Sequence, residues 1–215
     1  MIMLHYNVMK KLFLMIFLCI VTGCTAQTGS LADSTAVSAP VDTVKTTYDD
    51  GRVSRVYTVL KGTDVREGVS LTYHPNGNLA VEAPYKNGKL DGVLRSYDEN
   101  GKLCETVGYK DGEEEGLSII YYENGKKKSS EKYNRGTLNG MSEDWYENGK
   151  IRRQIPYENG QIHGIVKIYD EMGLLFEDMK FERGIRNGAY HRYSFGKLVQ
   201  EAEFKDNRCV KNCDF

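Results

Sequence analysis

The chain has 215 residues, 40% of them apolar, 11% aromatic and 27% charged, with a net charge of −1. That balance fits a folded chain rather than a disordered one, and it offers no basic surface for nucleic acid. The 22 Gly against four Pro, without a triplet period, exclude collagen and low-complexity linker and ask for many tight turns.

Residues 1–23 read as a targeting segment. Lys10 and Lys11 form a short positive stretch, and residues 12–21 are continuously apolar. Such a run is too short for a bilayer span, which takes about 20 residues, and suits the core of a signal peptide. Met9 is an alternative start to Met1, because Met9-Lys10-Lys11 opens a more usual signal. The sequence Val21-Thr22-Gly23-Cys24 resembles a bacterial lipobox. The resemblance implies cleavage before Cys24, acylation of that residue and a lipid anchor there. The alternative is an ordinary cleaved signal with an incidental cysteine. Anchoring by acyl chains places the chain in the cell envelope, on a bacterial membrane. The absence of an acidic run after Cys24 favours the periplasmic side of the outer membrane.

Residues 24–47 are rich in Thr, Ser and Ala and carry no aromatic side chain. They read as a flexible tether, with too little apolar surface for a core. The remaining cysteines are Cys104, Cys209 and Cys213. In an oxidising compartment Cys209 and Cys213 are a possible disulfide. No His lies near that pair to complete a zinc site, so no metal is expected.

From residue 48 to 215 the chain repeats with a period of 24. Gly68, Gly92, Gly116, Gly140, Gly164 and Gly188 form one column; Gly77, Gly101, Gly125, Gly149, Gly173 and Gly196 form a second. A third comprises Gly88, Gly112, Gly136, Gly160 and Gly184. Aromatic columns fall at Tyr85, Tyr109, Tyr133, Tyr157, Phe181 and Phe204, and at Tyr73, Tyr97, Tyr121, Trp145, Tyr169 and Tyr193. Asn-Gly pairs begin at Asn76, Asn87, Asn100, Asn124, Asn139, Asn148, Asn159 and Asn187. Each is a hairpin signal, since both residues tolerate positive φ. Between turns, apolar and polar residues alternate, the mark of half-buried antiparallel strands. The fold class is therefore all-β: an elongated up-and-down meander of hairpin repeats. About 13 strands at roughly 4.8 Å each make a sheet about 60 Å long.

The unit Tyr85–Gly108, YKNGKLDGVLRSYDENGKLCETVG, resembles the MORN repeat in its bacterial variant form. The resemblance covers about residues 48–204 and implies an all-β repeat sheet used as an interaction module. Some bacterial members are antitoxins. The chain lacks the Gly-x-Gly usual after the histidine-glycine step of eukaryotic units: Ile165-Val166 follows His163-Gly164.

Little in the sequence points to catalysis. His74, His163 and His191 occupy different repeat offsets and show no nucleophile–base–orienter spacing. Glu113-Glu114-Glu115 reads as a solvated acidic turn between Gly112 and Gly116. The Gly columns are turns rather than phosphate loops, so no cofactor is expected. Lys126, Lys127, Lys128, Arg152 and Arg153 occupy equivalent strand positions one repeat apart and are expected to stack into a basic patch. The aromatic columns read first as the sheet's own core; since a single sheet layer has no second layer to cover that face, the column Tyr73, Tyr97, Tyr121, Trp145, Tyr169 and Tyr193 is also the candidate binding face. Tyr and Trp are favoured interface anchors, and Trp145 is the only Trp. The expected function is a non-catalytic, lipid-anchored scaffold that binds a protein partner. The alternatives are an antitoxin or immunity protein and, further off, an envelope enzyme acting on peptidoglycan or glycan.

Overall fold

The structure, a computed structural model, describes residues 39–213. Among the described residues there are eighteen strands and no helix. From Val41–Thr47 to Arg208–Lys211 the chain folds back and forth antiparallel, each pass pairing with the passes before and after it; the short strands Lys89–Leu90, Thr137–Leu138 and Gln161–Ile162 share a partner strand with the segment that follows each of them. The result is one open, single-layer meander.

One unit shows how the sequence dictates this. Strand Leu79–Lys86 ends at Asn87-Gly88, where φ is 51° and 79°. Two successive positive-φ residues make the two-residue turn whose twist matches that of the flanking strands. The chain returns through Lys89–Leu90 and Gly92–Tyr97, broken at Asp91, whose N–H donates to the Pro84 carbonyl at 3.0 Å. A longer turn follows, closed by the Gly101 N–H on the Asp98 carbonyl at 2.9 Å, and leads into Leu103–Lys110.

Two other returning strands break in the same way, at Asn139 and at His163, and the three breaks together add three strands to the count. It also corrects the reading of two Asn-Gly pairs. Asn139-Gly140 sits at a strand break and Asn187-Gly188 lies inside Ile185–Ser194; neither is a hairpin turn.

The first Gly column stands directly opposite the first aromatic column. Gly68 pairs with Tyr85, Gly92 with Tyr109, Gly116 with Tyr133, Gly140 with Tyr157, Gly164 with Phe181 and Gly188 with Phe204. Each ring therefore faces a partner with no side chain of its own. Two residues along, on the same face, runs a row of mostly small or apolar residues that includes Ser70, Ala83, Leu94, Val107, Ser142, Ile155, Val166, Met179 and Ala202. This inner face holds Val59, Ala83, Val107, Met179, Ala202 and Phe204, which are the buried apolar residues among those described. None is buried completely, as a single layer dictates.

The tether expected over 24–47 is shorter than that within the described residues. Val41–Thr47 is the first strand, with Val41 opposite Leu60 and Val44 opposite Tyr57. The absence of aromatics concealed it. Val41, Thr43, Val44, Thr46 and Thr47 are β-branched and suit a strand that needs only a backbone partner. The signal segment, the lipobox with Cys24 and the rest of the tether before residue 39 lie outside the described residues.

Candidate functional site

Because side chains alternate along a strand, the face opposite the rings and Ala83 carries Val69, Leu71 and Tyr73 and their equivalents. It is the more open of the two. Val69 is 46% exposed, Val93 41%, Leu117 50%, Met141 44% and Ile165 49%. Opposite these stand Pro84, Gly108, Lys132, Pro156 and Lys180, so one row crosses the sheet from Val69 to Ile165. At roughly 4.8 Å per strand the row is about 38 Å long.

The row beside it is mostly polar, Leu71 and Ile119 apart, and carries pairs across strands. Arg95 reaches Glu82 at 3.4 Å, Gln154 donates to Glu143 at 2.8 Å, and the His191 Nδ1 lies 2.7 Å from Asp178.

The predicted aromatic column Tyr73, Tyr97, Tyr121, Trp145, Tyr169 and Tyr193 forms the far margin of this face, and all six are half-buried. A one-residue register shift precedes every member, so each ring sits at a β-bulge. The bulges recur because the partner strand carries an extra residue at Ala80, Cys104, Lys128, Arg152, Phe176 and Val199. Side chains one repeat earlier pin the column's backbone. The Tyr122 hydroxyl donates to the Trp145 carbonyl at 2.6 Å and the Tyr146 hydroxyl to the Tyr169 carbonyl at 2.8 Å; the His74 Nε2 lies 2.8 Å from the Tyr97 carbonyl oxygen. The Lys127 Nζ stands 5.7 Å from the centre of the Trp145 ring.

Each of the five basic residues has its own partner. Lys126 donates to the Asn148 carbonyl at 3.0 Å, and Lys127 covers Trp145. Lys128 stands 5.8 Å over the Tyr122 ring and Arg152 5.9 Å over Tyr146. The Arg153 Nε donates to Asp144 at 2.6 Å.

Glu113-Glu114-Glu115 is also corrected. The turn is Asp111-Gly112, and the three carboxylates open strand Glu113–Tyr121. Glu113 lies opposite Lys110, Glu114 lies opposite Tyr109, and the Glu115 carboxylate accepts the Arg135 N–H at 2.8 Å. The three histidines among the described residues lie apart. His163 is 3.9 Å from Glu158, His191 is on Asp178, and His74 is on a turn carbonyl. A disulfide joins Cys209 to Cys213, with Cα atoms 5.8 Å apart.

Sequence reasoning missed the exposure of the Val69–Ile165 row. Its apolar character suggested burial. The available signal was its place across from Pro84, Gly108 and Pro156, which supply little cover.

A hydrogen bond joins each unit to the next. The Gly88 N–H donates to the Arg66 carbonyl, Gly112 to Leu90, Gly136 to Glu114 and Gly160 to Leu138, each at 2.8 or 2.9 Å. The family model described as MORN repeat variant matches residues 66–87, 90–111, 114–135 and 138–159. Every match thus begins at one of those acceptor residues. A search of the curated proteins finds no match. Four consecutive units, from residue 66 to residue 159, are thus matched by the MORN repeat variant family.

Proposed function

We propose that the chain is a non-catalytic binding module, anchored in the bacterial cell envelope through Cys24, that engages a protein partner with its open sheet face. The observation that carries this reading is the exposed row Val69, Val93, Leu117, Met141 and Ile165, each 41–50% exposed, with the half-buried aromatic column along the far margin of the same face. An exposed stripe this rich in apolar side chains, interrupted by Lys132, has a cost in water unless something covers it in use. Tyr and Trp at its margin suit the anchors of an interface. The polar pairs between the two rows supply the directional contacts that fix orientation. Stacked repeats give such a surface its length.

The test is crosslinking of intact cells that express a tagged full-length chain, followed by purification and identification of the adducts. Trp145→Ala and Leu117→Glu are carried alongside. The reading expects adducts that both substitutions remove. One stoichiometric partner, toxic when expressed alone, assigns the antitoxin role. Adducts that persist in both variants overturn the open face as the site.

A further inference from the structure

The two ends of the sheet differ. The last strand, Arg208–Lys211, has four residues and two cations, and the Cys209–Cys213 disulfide turns the chain immediately after it. That end is blunted in the manner of edges that resist pairing. The first strand, Val41–Thr47, has seven residues and no Pro. Its partner is Val53–Leu60, and among the described residues nothing lies on its other side.

The polarity of that outer edge follows from the ladder. The Lys61 N–H donates to the Pro40 carbonyl at 2.9 Å. Bonded and non-bonded positions alternate in an antiparallel pair. Asp42, Val44 and Thr46 therefore direct their backbone groups toward Val53–Leu60. Val41, Thr43 and Lys45 direct theirs outward. The Leu60 N–H fits this pattern: it donates to Val65 at 2.8 Å, away from Val41 opposite it. A register shift at Thr46/Thr47 ends the regular edge.

We propose that this edge is a pairing site for a second copy of the chain, with Val41–Lys45 of each copy antiparallel about a two-fold axis at Thr43. In that register Thr43 faces Thr43, and Val41 faces Lys45 of the other copy. The outward N–H and C=O groups of all three residues meet their complements. The non-bonded position pairs Asp42 with Val44. No two like charges stand opposite, which is the condition an isologous pairing must satisfy. The two meanders become one continuous sheet by strand addition. The inference rests on backbone geometry and is independent of what the open face binds.

The experiment uses the full-length chain with a cysteine placed on the edge, oxidised and run without reductant beside the parent, which reads crosslinking through native cysteines. Across a bonded antiparallel pair the Cα atoms lie about 5.5 Å apart, within disulfide range. Thr43→Cys should give a covalent dimer well above the parent. Lys45→Cys, equally exposed but about 14 Å from its counterpart in this register, should not. Thr43→Pro removes an outward N–H and leaves the bonds to Val53–Leu60 intact. It should convert the dimer seen by light scattering to monomer with an unchanged circular dichroism spectrum. Equal crosslinking at both positions, a monomeric parent at tens of micromolar, or a dimer that survives Thr43→Pro would each overturn the proposal.

Discussion

Gly92 stands directly opposite Tyr109 on neighbouring strands. The glycine has a φ of +125°, and a Cβ built there would lie 2.8 Å from the Pro84 Cγ. Backbone conformation and space both exclude a side chain at this position. Gly92→Ala should cost about 2–3 kcal/mol, the range for strained backbone plus a close contact. Gly125 has a φ of +79° and nothing within 4 Å of such a Cβ, so Gly125→Ala should cost only about 1–2 kcal/mol. Denaturant midpoints of the two variants check the order; equal losses would contradict it.

Phe195 is an aromatic residue at a turn position that carries a polar residue in the equivalent turns. Asn87, Asp111, Arg135, Asn159 and Arg183 precede their glycines at positive φ; Phe195 does so at 51° while 85% exposed. A bulky residue is poorly suited to that conformation. Phe195→Asn restores the preferred turn pair and should stabilise the chain by about 1 kcal/mol, seen as a higher melting temperature.

Tyr109, Tyr133 and Tyr190 hold their protons more tightly than an ordinary tyrosine. Burial is the first cause at each, followed by the nearby carboxylates of Glu114, Glu131 and Glu177. The Tyr133 hydroxyl donates to Glu131 at 2.7 Å. A raised folded-state pKa means that the fold favours the protonated form. That stability is complete below the unfolded value, about 10, and is lost as pH rises above it. Stability should therefore fall from about pH 10 upward, and Tyr133→Phe should flatten the fall. Denaturation between pH 8 and 12, with tyrosinate absorbance read in parallel, tests both.

The Cys209–Cys213 disulfide closes a short loop at the end of the meander. In a sheet built from neighbour contacts its effect should stay local, about 2 kcal/mol by loop-closure entropy. Reduction should speed amide exchange across Lys197–Lys205 and Arg208–Lys211 and leave Gly92–Tyr97 unchanged.

The period of 24, the Gly and aromatic columns and the meander were legible because each is a property of local sequence. The opposition of Gly92 and Tyr109 was not, since it joins residues 17 apart through a turn whose register depends on Asp98–Lys102. The bulges at Tyr73 and its equivalents were hidden for the same reason. One extra residue, such as Lys128, changes which partner the next side chain meets. Val41–Thr47 was hidden because an edge strand can hold on by backbone bonds, without aromatic cover. The candidate site was half visible: the Tyr and Trp margin was read from its spacing, while the exposure of Leu117 and Met141 depends on what lies across the strand.

The central claim is that partners bind the face bearing Leu117 and Met141. The most direct measurement places a photo-reactive amino acid, in cells, at Leu117 or Met141 and, for comparison, at Ser129 or Arg153 on the ring-bearing face. The account predicts the same discrete adduct from Leu117 and Met141 and none from the other two. Adducts from Ser129 or Arg153, with Leu117 and Met141 silent, would contradict it.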